Sequence, residues 1–447
     1  MQPPHVPAPP SEGSPLGAWL EYLEGLDPGR IELGLERVAE VARRLGLDRQ
    51  DGVLVTEVAG TNGKGTVSTL IANALSGAGI RTGLYTSPHL HAFTERIAID
   101  GDQAGEAELC AAFEAVERGR EGVALTYFEY TTLAALHCFR AEGCEALVLE
   151  VGLGGRCDAV AVVNADLAVI TSIGLDHTQL LGDTIEQIAH EKAGIIKRGC
   201  KVVTGSMARE AQAVIDAEAR RLGCEVFAQG RDFDAAFDDA THFTCAGAGH
   251  CIGYDVKNDF VLPSSDRSCT AAAVMALCLI RRRLGGRPFS DAVNEALRST
   301  RLPGRMQRIG VSPDIILDVA HNVPAAAHLR QMLEARQRDC GAPGGRRIAL
   351  MGMLSDKDIE GVCRQVADFF DLFLLSSLPG RRGAPAQRLA AALTAAGAPT
   401  GSLRTFTCVS DAFKMALDTA LPPDQVVVFG SFVTVAEALD AEARLTQ

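Results

Sequence analysis

The stretch that most constrains this chain is Val53–Thr66, VLVTEVAGTNGKGT. An apolar, β-branched run stops at a glycine-rich turn. A lysine and a threonine follow, then a helix-like segment, Val67–Ala78. A strand that feeds a glycine turn and then a helix N-terminus is a phosphate cradle, because unpaired backbone N–H groups and the positive helix end face the anion. Lys64 adds a full charge. Gly60, Gly63 and Gly65 let the backbone come close and adopt positive φ. The pattern points to a nucleoside triphosphate and to an α/β fold.

The loop departs from the common G-x-x-x-x-G-K-[ST] spacing. Position 58 is valine, and Gly65 rather than a hydroxyl residue follows Lys64. The hydroxyl arrives at Thr66. On its own the stretch also reads as an ordinary glycine-rich turn, so the rest of the chain must decide.

At 447 residues the chain holds about two to three domains. A formal net charge of −13 argues against a broad nucleic-acid-binding surface. The 13 cysteines are odd in number, scattered and free of any C-x-x-C pair, which reads as reduced cytoplasmic thiols. No apolar run is long enough to span a membrane. The proline-rich start, MQPPHVPAPPSEGSP, has no apolar core of a signal peptide and reads as a tail over 1–15.

From Val53 onward, short apolar runs alternate with helical stretches. Val53–Val58, Ala146–Val151, Leu167–Ile173 and Lys201–Thr204 read as buried strands, and Val67–Ala78, Thr131–Ala141 and Thr184–Lys197 as helices. This alternation predicts a mainly parallel sheet. Leu16–Leu45 reads as one or two helices. Arg231–Asp259 reads as a small β insertion, and Ser268–Leu284 as an alanine-rich helix. GGRP (Gly285–Pro288) and LPG (Leu302–Gly304) bracket an expected hinge. A second series then begins, with strands at Ile315–Val319, Arg347–Met351, Asp371–Leu375 and Val426–Phe429. Its helices are Pro324–Arg336, Ile359–Phe369, Ala386–Ala396 and Asp411–Ala420. The expected division is a first domain over 16–298 and a smaller doubly wound one of about 145 residues over 299–447.

Several residues sit where open α/β sheets bind ligands, at the C-terminal ends of strands. Glu150 ends the strand in ALVLEVGLGGRCDA, as a hard Mg²⁺ ligand or as a partner of Arg156. His177, in ITSIGLDHTQLLG, is a metal ligand or a capping histidine, with Asp176 beside it as the ligand instead or as its orienting group. Ser87, in LYTSPHL, is a fixed hydroxyl or a simple turn residue. Lys192, in IEQIAHEKAGII, is a solvated helical lysine or a desolvated reactive one. Asp318 and His321, in LDVAHN, end a strand and open a helix, the kind of place where ribose or phosphate binds; Asp318 also reads as an N-cap. Arg305, in LPGRMQ, is a bidentate phosphate donor or a surface ion pair. SDKD at Ser355–Asp358 is not the Asn-Lys-x-Asp signature of guanine binding.

Taken in order, AGTNGKGT, TSPHL with TERI, LTYFEYTTLAAL, LEVGLGGRCDA, ITSIGLDHTQLLGDTIEQIAHEKAGII, LPGRMQ, DVAHN, GMLSDKD and GSFVTVAEAL resemble one family. It is the bacterial dihydrofolate synthase/folylpolyglutamate synthase family of the Mur ligase superfamily. The resemblance covers about Leu16 to Leu439, and IELGLERV near the N-terminus fits it.

The resemblance implies an N-terminal P-loop ATPase domain and a C-terminal Rossmann-like domain with ATP between them. It implies an ATP-dependent ligase that activates the carboxylate of 7,8-dihydropteroate or a folate as an acyl phosphate, which the amine of L-glutamate then attacks. Gly60, Thr61, Asn62, Gly63, Lys64, Gly65 and Thr66 would hold ATP, with Arg305, Asp318 and His321. Ser87, Glu150, His177 and a carbamylated Lys192 would serve Mg²⁺ in two sites, with a monovalent cation as a further candidate. Ile31, Glu32, Leu33, Thr126, Phe128 and Asp158 would line the pterin pocket, where an aromatic ring stacks on the bicycle and a carboxylate accepts its N–H donors. Lys64, His177, Lys192 and Arg305 would carry the catalysis. The family also suggests a cytoplasmic monomer whose partners are small molecules, not nucleic acid or membrane.

Three places depart from the family pattern. Val160 and Ala161 replace the Thr-Asn of an Asp-Ala-Thr-Asn motif, SSDRSCTAAAV with Ser268 replaces an Asn-Ala-Ala-Thr helix start, and Arg231–Asp259 aligns with no motif. They leave two other readings in play, a related ligase for a different acid and a nucleotide-binding relative without turnover.

Overall fold

The computed structural model describes residues 8–26, 34–236, 244–247, 267–281, 290–340 and 344–445. Two compact units meet in sequence at Thr300 and Arg301.

The first unit is built on an eight-stranded sheet. Its strands are β1 (Leu54–Ala59), β2 (Thr82–Tyr85), β3 (Ile97–Ile99), β4 (Asp102–Gln103), β5 (Ala146–Glu150), β6 (Leu167–Ile170), β7 (Lys201–Thr204) and β8 (Glu225–Ala228), in the order β4-β3-β2-β5-β1-β6-β7-β8. β2, β5, β1, β6, β7 and β8 run parallel, and β3 and β4 turn back antiparallel at one edge. β1 is central and buried along its whole length. That is why it reads as a continuous apolar run.

Helices α1 (Leu16–Gly25), α2 (Glu36–Leu45), α3 (Lys64–Gly77), α4 (Glu106–Arg120) and α5 (Tyr127–Ala141) follow in chain order. The described residues of the stretch Leu16–Leu45 therefore hold two helices. Val55 and Ala59 of β1 share one core with Trp19, Tyr22, Val38, Phe113, Tyr130 and Phe139 from α1, α2, α4 and α5. Strand side chains alternate faces, so Leu54, Thr56 and Val58 turn to the other side. There α3 packs with the helices Arg267–Ile280 and Ser290–Ser299. The helix expected over Thr184–Lys197 ends at Lys192 and continues as a 3₁₀ turn, Ala193–Ile195. Of the expected β insertion, the described residues show two antiparallel strands, β9 (Phe233–Ala236) and β10 (Thr244–Gly247). The GGRP half of the expected hinge lies outside the described residues.

The second unit has a six-stranded sheet of β11 (Gln307–Val311), β12 (Asp314–Leu317), β13 (Arg347–Met351), β14 (Leu372–Ser376), β15 (Leu403–Phe406) and β16 (Gln425–Phe429), ordered β11-β12-β16-β13-β14-β15. All pairs are parallel except β11 with β12. The helix Val323–Cys340 follows β12, and Phe432–Leu445 follows β16. A core of Ile316, Met351, Phe370, Phe373, Val427 and Phe429 fills one side.

Candidate active site

The loop from β1 to α3 is fastened by the loop after β6. Thr61 N–H donates to Ser172 O at 2.8 Å, and Asn62 N–H to Ser172 Oγ at 3.0 Å. Thr171 Oγ1 donates to Asn62 O at 2.6 Å, and Gly174 N–H to Thr61 Oγ1 at 3.0 Å. Two glycines are required by space as well as by φ. A Cβ on Gly60, at φ 152°, would overlap the Thr171 hydroxyl; one on Gly63, at φ 83°, would overlap Cys269 Sγ. The helix starts at Lys64, three residues earlier than the apolar pattern suggests, and Val67 N–H bonds Gly63 O at 3.0 Å. Lys64 and Gly65 are thus already helical, and the helix N-terminus opens directly onto the loop, as an anion site needs.

Four of the expected residues converge here. Lys64 Nζ donates to Gly60 O at 3.2 Å, and Lys192 Nζ to the same carbonyl at 2.9 Å. Lys192 is 5% exposed, so it is no solvated helical lysine. Burial, reinforced by the nearby charge of Lys64, brings its pKa down to about 7. Glu150, also buried, lies across Gly65, with Oε2 at 3.5 Å from where a Cβ would stand. Its Oε2 accepts from Ser87 N–H at 3.0 Å. Arg156, the alternative partner of Glu150, instead pairs with Glu218 at 3.5 Å.

His177 occupies the loop after β6, at the N-cap position of the short helix Thr178–Leu181, with φ 52° and no side-chain capping bond. Its N–H donates to Asp176 Oδ1 at 2.9 Å. The described residues contain no preassembled cluster of three or more His, Cys, Asp and Glu side chains. A buried carboxylate and a hydroxyl beside an anion loop nevertheless fit Mg²⁺, which binds through one or two carboxylates and draws its other ligands from phosphate and water.

Thr126 N-caps α5 in a reciprocal box. Glu129 N–H donates to Thr126 Oγ1 at 3.3 Å, and Thr126 N–H donates to Glu129 Oε2 at 2.7 Å. The Phe128 ring lies 5.9 Å from that of Tyr85, and a Cβ on Gly152 would run into it. Asp158 is buried and accepts from Leu153 N–H at 2.8 Å and Val160 N–H at 3.1 Å. Burial pushes its carboxyl up to about 6 against these bonds and the charge of Lys64. With a further backbone bond from Gly152, three of its roughly four lone-pair sites are used, which leaves one for an N–H donor. Val160 and Ala161 are buried in the 3₁₀ turn Ala159–Val162, which accounts for apolar residues there. Ile31, Glu32 and Leu33 lie outside the described residues.

In the second unit Asp318 is not a helix cap. It accepts from Met306 N–H and Ala320 N–H, both at 2.9 Å, and burial raises its pKa against the charge of Arg305. The cap is Asn322, whose Oδ1 accepts from Ala325 N–H at 2.9 Å. His321 Nδ1 lies 2.8 Å from Val319 O. The Arg305 guanidinium is no surface ion pair: it sits over the Phe432 ring at 5.3 Å, and that ring is 6.3 Å from His321. Sequence reasoning missed Phe432, and also Thr171 and Ser172. The signal for the latter pair was visible, as two hydroxyl residues directly after an apolar strand.

Comparisons with known proteins give the family. The Mur ligase middle domain model matches residues 58–238, and the model of the Mur ligase glutamate ligase domain matches residues 304–432. The chain belongs to the Mur ligase family, within its dihydrofolate synthase/folylpolyglutamate synthase branch. The dihydrofolate synthase/folylpolyglutamate synthase of Escherichia coli K12 is 38% identical over 440 residues, 96% of each chain. The structure of E. coli FolC in complex with DHPP and ADP superposes with a TM-score of 0.88 at 37% identity, covering 98% of this chain and 100% of that one. A bifunctional folylpolyglutamate synthase/dihydrofolate synthase with Mn, AMPPNP and L-glutamate bound gives a TM-score of 0.84 at 37% identity, with the same coverage.

Proposed function

We propose that this chain is an ATP- and Mg²⁺-dependent ligase that joins L-glutamate to 7,8-dihydropteroate and to folates. The observation that carries this reading is the end-to-end match to an enzyme of that name, and to structures holding ADP with DHPP and AMPPNP with glutamate. The convergence of the phosphate loop, Glu150, Ser87 and Lys192 supports it from within the chain.

A carboxylate is a poor acyl donor, because its leaving group would be oxide. Attack of the carboxylate oxygen on the γ-phosphorus breaks the bond to ADP and gives an acyl phosphate. The amine of glutamate then attacks the acyl carbon, the C–O bond breaks, phosphate leaves and the amine loses a proton. Such transfer needs positioning and charge neutralisation more than a protein nucleophile. The turn Gly60–Thr66 cradles the phosphates, with the N–H groups of Lys64, Gly65 and Thr66 at the helix N-terminus facing the anion while those of Thr61 and Asn62 hold the loop to Ser172, and Lys64 adds charge. Bound Mg²⁺ would polarise the phosphoryl oxygens, held by Ser87, Glu150 and His177. Lys192, with its lowered pKa, has a neutral amine fraction able to add CO₂, forming an N–C bond and releasing a proton; the resulting carbamate would be a fourth ligand and, with Ser87 and Glu150, a third oxygen donor. Thr126, Phe128 and Asp158, with Ile31, Glu32 and Leu33, take the pteridine. Arg305, Asp318 and His321 serve the nucleotide.

We place the enzyme in the cytoplasm as a monomer. The cysteines of the described residues are free thiols, and none of the described helices is long and apolar enough to cross a membrane. The test is ADP release by purified protein given Mg²⁺, ATP, dihydropteroate and glutamate. Release above a glutamate-free control is expected, and none would overturn the assignment.

A further inference from the structure

One ion pair ties α2 to α5, whose first turn carries Thr126 and Phe128, two of the residues expected at the acid substrate. Arg37, in the first turn of α2, donates from Nη2 to Glu129 Oε1 at 3.1 Å. The Glu129 side chain is 5% exposed, against 32% for Arg37. Its other oxygen, Oε2, accepts the N–H of Thr126. The carboxylate is therefore divided between the cap of α5 and a cation on another helix. α2 begins three residues after Leu33, so Arg37 is also the near neighbour in sequence of Ile31–Leu33.

We propose that Arg37 is a positioning residue for the pteridine-bearing acid. Through Glu129 it sets the first turn of α5, and with it Thr126 and Phe128. The proposal rests on the ligase reading above. A buried carboxylate that loses its cation is an uncompensated charge, and the group adapts by moving toward water or by drawing water in. Moving toward water would cost Glu129 the Thr126 N–H, and Phe128 lies between those two residues in the same turn. The Arg37 side chain needs no contact with the substrate, and its loss disturbs the acid end of the reaction rather than the phosphate loop, which is held separately by Thr171 and Ser172.

The test compares steady-state kinetics of the full chain and its Arg37→Met, Arg37→Lys, Glu129→Gln and Arg37→Met/Glu129→Gln forms, varying dihydropteroate, glutamate and ATP in turn. Arg37→Met is expected to raise the KM for dihydropteroate about tenfold, with the KM values for ATP and glutamate within twofold and kcat within threefold. Arg37→Lys should recover most of the loss, since a cation is restored. The double variant should be less impaired than the product of the two single effects, because the unpaired charge is gone. If Arg37→Met does not fold, the lysine and glutamine forms carry the same comparison. A dihydropteroate KM within twofold of the parent, or a proportional rise in all three KM values, overturns the proposal. An unaltered chain that shows no glutamate-dependent ADP release overturns the ligase reading itself, which separates the two failures.

Discussion

Lys192 Nζ touches the carbonyl oxygen of Gly60 at 2.9 Å, so a buried amine from the end of one helix rests on the first glycine of the phosphate loop. A lysine in that place is costly as a cation. It becomes useful if the amine is converted to an anionic oxygen donor beside the proposed metal ligands Ser87 and Glu150.

Lys192→Ala should therefore cut turnover by at least 100-fold, a loss of about 2.7 kcal/mol of transition-state stabilisation, while leaving the fold intact. A short carboxylate diffusing into the vacated space would stand in for the carbamate. Added acetate or bicarbonate is expected to restore part of the activity in the ADP-release assay. Full activity in the alanine form without additive would contradict the role.

The phosphate loop is tested at Gly63. Alanine there meets both a φ of 83° and the Cys269 sulfur. The left-handed backbone alone costs roughly 1–2 kcal/mol. Gly63→Ala should lower the midpoint of thermal unfolding and raise the KM for ATP at least tenfold. The pair Gly63→Ala/Cys269→Ala removes the overlap but not the strain, so partial recovery is expected. Complete recovery would show that space alone mattered.

Phe432 is expected to steer Arg305. A cation over an aromatic face contributes about 0.5–2 kcal/mol. Phe432→Leu should lower kcat/KM for ATP by about three- to tenfold, and Phe432→Tyr should stay near the parent. In an Arg305→Ala background the Phe432→Leu change should have almost no further effect. Additive effects in that double-mutant cycle would show that the ring does not act through Arg305.

Glu57 offers a pH-dependent stability test. It stands in the middle of β1 with no exposed surface, and neither carboxylate oxygen has a hydrogen-bond partner among the described residues. Burial pushes its pKa up to about 8, with Lys197 pulling the other way. The folded state keeps the proton that the unfolded chain loses above its ordinary carboxylate value. Stability from this group is therefore full below about pH 4.5 and is lost as pH rises towards 8. Glu57→Val should stabilise the protein increasingly across that window, on the order of 3 kcal/mol at pH 7. Chemical denaturation of both forms at pH 5 and pH 8 checks it, and an equal difference at the two pH values would contradict it.

The parts of the fold legible in the sequence were those with a strong local signature. β1, β5, β7 and β13 are apolar runs buried on both faces, and their bounds fall within a residue of the pattern. β11 and β15 were missed because they are edge strands with exposed or half-exposed residues, which leaves no apolar run to see. The start of α3 was misjudged because Lys64 and Gly65 look like turn residues; only the Val67–Gly63 bond shows that they are helical.

At the site, motif order placed Ser87, Glu150 and Lys192 in one constellation, and the structure supplies the contacts that join them to the loop. The Arg37–Glu129 pair joins residues 92 apart in sequence, and the Arg305–Phe432 contact lies at opposite ends of the second unit's chain. Neither leaves a local trace. Glu57 is the reverse case. Its strand reads as buried, but that neither carboxylate oxygen meets a partner among the described residues shows only in the structure.

The most direct test of the chemistry follows one oxygen atom. Dihydropteroate carrying ¹⁸O in its carboxylate is turned over with ATP, Mg²⁺ and L-glutamate, and the inorganic phosphate released is weighed by mass spectrometry. One ¹⁸O per phosphate is the expected result, because the oxygen that attacks the γ-phosphorus leaves with it when the amide forms. Amide formation with unlabelled phosphate would contradict an acyl phosphate and the proposed use of the phosphate loop.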